Sequence, residues 1–132
     1  RLEEQIGFVL RKASQRHIAI FSQRIGELTP PQFAALAKLA EVGDTSQNQL
    51  GQLVAMDAAT IKGVIDRLRA RDFVALSRDD GDKRRLIVSI TPLGRETVAG
   101  LLPLARTITQ ETTAPLGARE VETLMRLLAK IS

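Results

Sequence analysis

The chain has 132 residues, of which 44% are hydrophobic, and carries 19 basic against 15 acidic side chains. This length supports one well-formed core and is short for two independent domains, so one compact unit is expected. The lack of cysteine excludes disulfides, cysteine-ligated metal sites and thiol redox sensing within these residues, and a single histidine is too few for a histidine-rich metal site. No apolar run approaches the ~20 residues that span a bilayer and no signal peptide is visible, so we expect a cytoplasmic protein.

The N-terminal segment from Leu2 to about Arg24 is predicted to form one long helix. Its apolar side chains recur at helical spacing, and the only histidine lies on the same stripe. The stripe comprises Ile6, Leu10, Ala13, His17 and Phe21, with Val9, Ile20 and Ile25 beside it. Gly26 is expected to end the helix as a C-terminal glycine. The stripe is broad enough to contact more than one partner.

A second helix is predicted to start at Thr29-Pro30-Pro31-Gln32. Threonine is a good cap, proline is favoured at the first helical position, and a glutamine three residues after the cap completes a capping box. The residues predicted to form its buried face are Phe33, Leu36, Ala37 and Ala40. Gly43 is expected to close it.

Two short helices are predicted next, in the segment Thr45–Thr91. Ser46 with Gln49 three residues later forms a capping-box pattern for the first, and Asp57 is suited to cap the second. The apolar positions of the second are Ile61, Val64, Ile65 and Leu68, which leaves Thr60, Lys62, Gly63, Asp66 and Arg67 pointing outward. Basic and hydroxyl-bearing side chains on an outer helix face are suited to contact phosphates and base edges in a major groove.

A charged hairpin is predicted to follow these helices. Val74 and Leu76 alternate on one side of the turn sequence Asp79-Asp80-Gly81-Asp82, and Leu86, Val88 and Ile90 alternate on the other. Eight basic residues lie between Lys62 and Arg85, and most are expected to face a duplex. The alternative is an ordinary solvated face.

The C-terminal part is predicted to form two helices. Thr91-Pro92 pairs a cap with a first-turn proline, and an apolar pattern then runs through Leu101, Leu102, Leu104, Ala105 and Ile108. Pro103 lies inside that pattern, and an interior proline costs ~3 kcal/mol or more, so a kink or break is expected there. Gly117 is a modest cap for the last helix, whose apolar positions are Val121, Leu124, Met125, Leu128 and Ile131.

The predicted fold is therefore mainly α with a small two-stranded β wing. A winged helix-turn-helix that reads DNA spans about residues 45–91, and helices at about 1–25 and 92–132 form a dimerisation stem within the same domain. The apolar stripes of the terminal helices are hard to bury within one copy of the chain, so a two-fold dimer is expected. The alternative is a monomer in which these helices fold back.

Several segments together resemble the MarR family of bacterial transcription regulators. They are Leu-Thr-Pro-Pro-Gln-Phe at Leu28–Phe33, Asp66-Arg67-Leu68, and the wing from Asp82-Lys83-Arg84 to Ile90-Thr91-Pro92-Leu93-Gly94. The resemblance covers essentially the whole chain. It implies a homodimeric repressor on a pseudo-palindromic operator, with two recognition helices in successive major grooves roughly 34 Å apart.

The resemblance also implies which residues contact DNA. These are Gln47 and Asn48 before the recognition helix, Ala58, Ala59, Thr60, Lys62 and Arg67 on it, and Asp82, Lys83 and Arg84 in the wing. Arg84 is similar to the arginine that reaches the minor groove, with Asp82 orienting it, and Asp66 is expected to brace a wing arginine. Asp72 departs from the family pattern, since it replaces a glycine but still tolerates a left-handed conformation.

The His17 region resembles the subgroup of the family that controls aromatic-acid and nicotinate catabolism. A lone histidine on an apolar stripe is more often a packing residue than a ligand group. In this family, however, small aromatic acids are bound between stem and reader, which implies an effector such as 6-hydroxynicotinate. Arg16 and His17 are the expected polar anchors, with Phe21, Phe33 and Met56 as wall residues; no cofactor or metal is expected.

Two other functions are the alternatives to transcription regulation. An enzyme is disfavoured because the sequence has no glycine-rich phosphate loop, metal-ligand cluster or cysteine nucleophile, and its histidine has no triad context. A winged helix that binds only proteins, without ligand control, is the second alternative. The basic outer faces at Thr60–Arg67 and Lys83–Arg85 favour DNA over protein, because a protein-contact module has no general need for them.

Overall fold

Six α-helices and three short strands make up the fold of the computed structural model, which describes residues 1–132. A 3₁₀ helix at Leu2–Glu4 comes first. The α-helices are α1 (Ile6–Arg24), α2 (Pro30–Val42), α3 (Gln47–Leu53), α4 (Ala58–Ala70), α5 (Pro92–Thr112) and α6 (Ala118–Lys130), and the strands are β1 (Thr45–Ser46), β2 (Val74–Arg78) and β3 (Leu86–Ile90). This order confirms the predicted mainly helical winged fold.

The chain divides into two compact units. The reader unit is Ile25–Leu102, and the stem unit combines Arg1–Arg24 with Pro103–Ser132. The reader unit is larger than the predicted segment 45–91 because it also takes in α2 and the first half of α5.

The core of the reader unit lies where α2, α3 and α4 meet the sheet. Its fully buried side chains include Leu36, Leu39, Leu50, Ile61, Ile65, Leu68 and Val88. Burying each such side chain stabilises the fold by about 1.5–3 kcal/mol. The predicted buried face of α4 is confirmed in full, since all four of its apolar positions are buried.

The predicted buried face of α2 is correct at Leu36 and wrong at the other three positions. Ala35, Leu36 and Leu39 are buried, whereas Phe33, Ala37 and Ala40 are only half-buried. The helix is rich in alanine and leucine on several sides, so the apolar pattern alone does not determine its rotation.

Two helices of the reader unit end in Schellman motifs with a residue other than glycine in the left-handed position. At the end of α3, Met56 N donates to Gly51 O at 2.8 Å and Ala55 N donates to Gln52 O at 3.3 Å. Ala55 has φ +57°, and Asp72 at the corresponding position after α4 has φ +62°. The left-handed conformation expected for Asp72 is therefore present.

The predicted helix-ending glycines have different conformations. Gly43 has φ +80° and its N–H donates to Leu39 O at 2.9 Å, as expected for a cap. Gly26 does not adopt a left-handed conformation, and α1 already ends at Arg24. The prediction for Gly26 was wrong because a glycine near a helix end permits that cap without requiring it.

The sheet has three strands in the order β1-β3-β2, all antiparallel, rather than the two predicted. Val88 in the central strand faces Leu76 on one side and Thr45 on the other. The third strand escaped prediction because two residues are too few to show the alternation of a strand. Ser46 belongs to this strand and also caps α3, accepting a hydrogen bond from Gln49 N at 3.2 Å. The second hydrogen bond of the predicted capping box, from the Ser46 N–H to the Gln49 side chain, is not formed.

The stem unit differs from prediction at two points. The first helix is interrupted at Gln5, whose extended backbone separates the 3₁₀ helix from α1. In contrast, α5 continues through Pro103 without a break. Proline removes the hydrogen bond to the carbonyl of Ala99, and Ala99 is exposed, so water can satisfy that carbonyl.

Large apolar side chains remain exposed on two helices of the stem unit. On α1 they include Ile6, Val9 and Leu10, and on α6 they include Leu124, Met125 and Leu127. No residue of α6 is buried. None of the helices combines the length and apolar character required to cross a membrane.

Candidate nucleic-acid interface and effector site

The start of α4 is fixed by the carboxylate of Asp57. Its Oδ1 accepts a hydrogen bond from Thr60 N at 2.7 Å, which satisfies one of the unpaired amides of the first turn. This hydrogen bond, with those from the Thr60 hydroxyl and Ala59 N–H, lowers the pKa of Asp57 below 3.8. The cap leaves Ala58, Ala59 and Thr60 exposed at the leading end of the helix.

The outer face of α4 presents one paired and one unpaired cation. Lys62 Nζ lies 2.9 Å from Asp66 Oδ2, one turn along the helix. Asp66 therefore does not brace a wing arginine, because the local partner at i−4 lies within reach on the same helix face. Arg67 forms no ion pair, and its Nη1 would lie 3.5 Å from a Cβ placed on Gly63. That distance is an ordinary van der Waals contact, so the Arg67 guanidinium lies beside Gly63 without requiring a glycine there.

The tip of the wing orients Arg84. Asp82 Oδ1 accepts hydrogen bonds from Arg84 N at 3.0 Å and from Arg84 Nε at 3.4 Å. The arginine side chain is nonetheless 93% exposed, so the carboxylate contacts the Nε edge of the guanidinium while both Nη groups make no hydrogen bond within the protein. Neighbouring backbone bonds close the tip, including Asp79 N to Arg85 O at 3.0 Å.

Eight of the ten residues predicted to contact DNA line three shallow clefts in the reader unit. The first is lined by Ser46, Gln47, Asn48, Asp82, Arg84, Arg85 and Leu86, and so joins the start of α3 to the wing. The second includes Gln47 and Lys62, and the third includes Ala59, Thr60 and Arg67. Ala58 and Lys83 are exposed but line none of these clefts.

Not all the basic residues counted between Lys62 and Arg85 belong to this surface. Arg71 donates to the carbonyl oxygen of Glu27, and its guanidinium carbon lies 4.7 Å from the centre of the Phe73 ring. The expectation that most of the run faces a duplex therefore does not extend to Arg71. Conversely, Arg69 and Arg78 line the second cleft and were not among the predicted contacts.

In the stem unit, two predicted ligand anchors meet the end of α5. Arg16 donates to the backbone carbonyls of Thr112 at 2.6 Å and Glu111 at 2.9 Å. His17 Nδ1 lies 2.9 Å from Thr112 Oγ1, and Arg24 forms an ion pair with the Glu111 side chain. Sequence reasoning missed Glu111 and Thr112 because they lie at least 87 positions from their partners and carry no local pattern of their own.

The three predicted wall residues belong to different units. Phe21 is 5% exposed and lies in the stem unit on α1. Phe33 and Met56 are half-buried and lie in the reader unit. The structure therefore brings Arg16 and His17 together at Thr112, and Phe21 follows four residues after His17 on α1. Phe33 and Met56 are positioned by other elements.

Comparison with known proteins gives a consistent result. The HTH-type transcriptional repressor NicR of Pseudomonas putida is 42% identical over 130 residues, which cover 97% of this chain and 82% of NicR. A probable transcriptional regulator from Pseudomonas aeruginosa has 52% identity and a TM-score of 0.96, with 100% of both chains covered. Bordetella bronchiseptica BpsR, whose DNA binding is regulated by 6-hydroxynicotinic acid, has 41% identity and a TM-score of 0.94, with 99% of this chain and 95% of BpsR covered.

The family match itself falls on the reader unit. Residues 28–86, from the last residue before the Thr29 cap to the first residue of β3, match the MarR family. Together with the identity to NicR over most of both chains, this shows that the chain belongs to the MarR family of transcription regulators.

Proposed function

We propose that this protein is a homodimeric repressor, not an enzyme, that binds a pseudo-palindromic operator and is released by a small heteroaromatic acid of the 6-hydroxynicotinate type. The observation that carries the DNA-binding part is the wing tip. Arg84 contacts Asp82 through Nε, and its side chain is 93% exposed. Such an oriented, exposed cation suits insertion into a narrow minor groove of negative potential.

The second DNA-contacting element is the outer face of α4. Thr60 and Arg67 are exposed and line one cleft, so they are available to base edges and phosphates of a major groove. Lys62 also serves as a contact, although its pairing with Asp66 reduces the charge that it offers. Gln47 and Asn48, at the start of α3, contact the sugar-phosphate backbone of the DNA. The other proposed DNA contacts are Ala58, Ala59 and Lys83.

The homodimer is supported by the unburied apolar side chains of the stem unit. Met125 is 59% exposed, Leu127 46% and Ile131 66%, all on or directly after α6. A second copy presents the same apolar surface and can cover it through a two-fold interface. Two recognition helices related by that axis would enter successive major grooves of the operator.

The effector assignment rests on the chemistry at α1 and on the relatives. Arg16 and His17 offer charge-assisted and neutral donors to a carboxylate, and Phe21 follows on the same helix. BpsR responds to 6-hydroxynicotinic acid, which has a carboxylate and an aromatic ring. Phe33 and Met56 lie in the reader unit, and their assignment as wall residues stays a prediction. Such a ligand causes release of DNA only to the extent that it binds the protein conformation unable to bind DNA more tightly than the conformation that binds DNA.

DNA binding is tested with the purified protein and its own promoter region at several salt concentrations. Arg84→Ala should weaken binding about tenfold or more, since each subunit loses one contact. Arg106→Ala removes an equal charge from an exposed stem position and serves as the matched control. An Arg84→Ala protein with unchanged affinity and salt dependence would show that the wing assignment is wrong.

Effector control is tested by titrating the protein–DNA complex with a panel of aromatic acids that includes 6-hydroxynicotinate and benzoate. The parent should be released by the heteroaromatic acid, and His17→Ala should need a higher concentration because one donor is lost. Full release of the His17→Ala complex at the parental concentration would refute the anchoring role. Light scattering of the free protein reports the dimer independently.

A further inference from the structure

Thr112, at the last position of α5, makes a contact that the other threonines of this helix do not make. Its Oγ1 lies 2.9 Å from Nδ1 of His17, which is half-buried. His17 is the only histidine of the chain and one of the proposed effector anchors. A role for this contact in preparing the ring rests on the proposed effector site.

The hydroxyl hydrogen of Thr112 is available to the imidazole. Thr97 donates its hydroxyl to Leu93 O at 2.8 Å, and Thr107 donates to Pro103 O at 3.3 Å, each closing a bond to the carbonyl four residues earlier. Thr113, directly after the helix, does the same toward Thr109 O at 2.8 Å. Thr112 makes no such bond, so its hydrogen can be donated to a ring nitrogen.

The contact is held in place by the backbone around it. The guanidinium of Arg16 spans the carbonyls of Glu111 and Thr112, at 2.9 Å and 2.6 Å. Glu111 is held a second time through its ion pair with Arg24. These bonds fix the end of α5 against α1, so the oxygen of Thr112 is positioned independently of the histidine.

We propose that Thr112 donates to Nδ1 of neutral His17 and thereby selects the tautomer with the proton on Nε2. In a neutral imidazole one nitrogen donates and the other accepts, so accepting at Nδ1 leaves an N–H at Nε2. That N–H donates to an acceptor oxygen of the aromatic acid. Arg16 uses two of its five N–H groups on the carbonyls and retains three for the same carboxylate. Thr112 is thus a positioning residue that acts through His17.

The tautomer can be measured without any effector because the chain has one histidine. Nitrogen-15 spectra of the free protein in mildly alkaline buffer should show a protonated Nε2 and an unprotonated Nδ1. Thr112→Val, which keeps the shape and removes the hydroxyl, should move both nitrogens toward the averaged shifts of a mixture. Thr112→Ser should restore the parent spectrum, and Thr113→Val is the matched control that should leave it unchanged.

Release of DNA by 6-hydroxynicotinate gives the second readout. Thr112→Val should raise the concentration needed for half-release about fivefold, the value of one neutral hydrogen bond, and Thr112→Ser should restore it. A parent spectrum with the proton on Nδ1, or a Thr112→Val spectrum identical to the parent, would overturn the proposal. If 6-hydroxynicotinate fails to release the parent from DNA, the effector assignment fails, while the spectra still decide the role of Thr112.

Discussion

The hydroxyl of Thr91 donates to the carbonyl oxygen of Asp72 at 2.6 Å and ties the end of the recognition helix to the start of α5. The hydroxyl oxygen of Thr91 also accepts a hydrogen bond from Gly94 N at 3.0 Å, so Thr91 caps α5 as well. The N–H of Thr91 donates to Phe73 O at 3.0 Å. Three hydrogen bonds through one residue thus join α4, the wing and α5, and α5 then continues into the stem unit.

Gly94→Ala should disrupt this junction. A Cβ at this position would lie 2.1 Å from Phe73 O, a backbone atom that cannot rotate away. We expect the free energy of unfolding to fall by about 3 kcal/mol, measured by urea denaturation. Gly100→Ala in the same helix is the control, because no atom lies within 4 Å of its Cβ position. It should gain up to about 1 kcal/mol, and equal losses in both variants would contradict this explanation.

Ala55→Gly should stabilise the protein. Ala55 has φ +57° in the position that a Schellman motif usually gives to glycine. Relief of left-handed strain, about 1–2 kcal/mol, exceeds the added entropy of the unfolded chain, about 0.5–1 kcal/mol. The midpoint of thermal unfolding should therefore rise. Ala99→Gly, at an exposed position inside α5, should lower it instead, and a fall in both would show that no strain is stored at Ala55.

The features that the sequence predicted well depend on residues three or four positions apart. Thr29 and Asp57 cap their helices as expected, because a short polar side chain reaches the amide three residues later. The Asp82–Arg84 contact, two positions apart, is also local, but it was expected from the family resemblance and not from a helix pattern. Local geometry is determined by the backbone of the element itself, so it can be inferred before the fold is known.

The features that escaped prediction depend on tertiary context. The rotation of α2 depends on which of several apolar faces α3 and α4 cover. Asp66 had two possible partners, and the one on its own helix, Lys62, was favoured by proximity. Thr112 approaches His17 across 95 positions of sequence, and nothing in either local pattern indicates that approach.

The cap of α4 should make stability depend on pH. Because hydrogen bonds from the Thr60 amide and hydroxyl lower the pKa of Asp57 in the folded protein, the carboxylate contributes stability above its unfolded pKa near 3.8. That contribution is lost as pH falls through the lower folded pKa. Asp57→Asn keeps an acceptor that does not titrate, so it should lose less stability on acidification than the parent. Asp80→Asn, whose carboxylate makes no hydrogen bond, should follow the parent curve.

Arg71 allows the structural and DNA-binding roles of the basic run to be separated. Its bond to the Glu27 carbonyl and its position over the Phe73 ring predict that Arg71→Ala lowers the free energy of unfolding by about 1 kcal/mol. Because this guanidinium is directed at the protein, the salt dependence of DNA binding should stay at the parental value. Arg84→Ala should do the reverse, with near-parental stability and weaker binding, since the Arg84 side chain forms a hydrogen bond only with Asp82, two residues earlier. Equal effects of the two substitutions on the salt dependence would place Arg71 on the DNA-binding surface and contradict this separation.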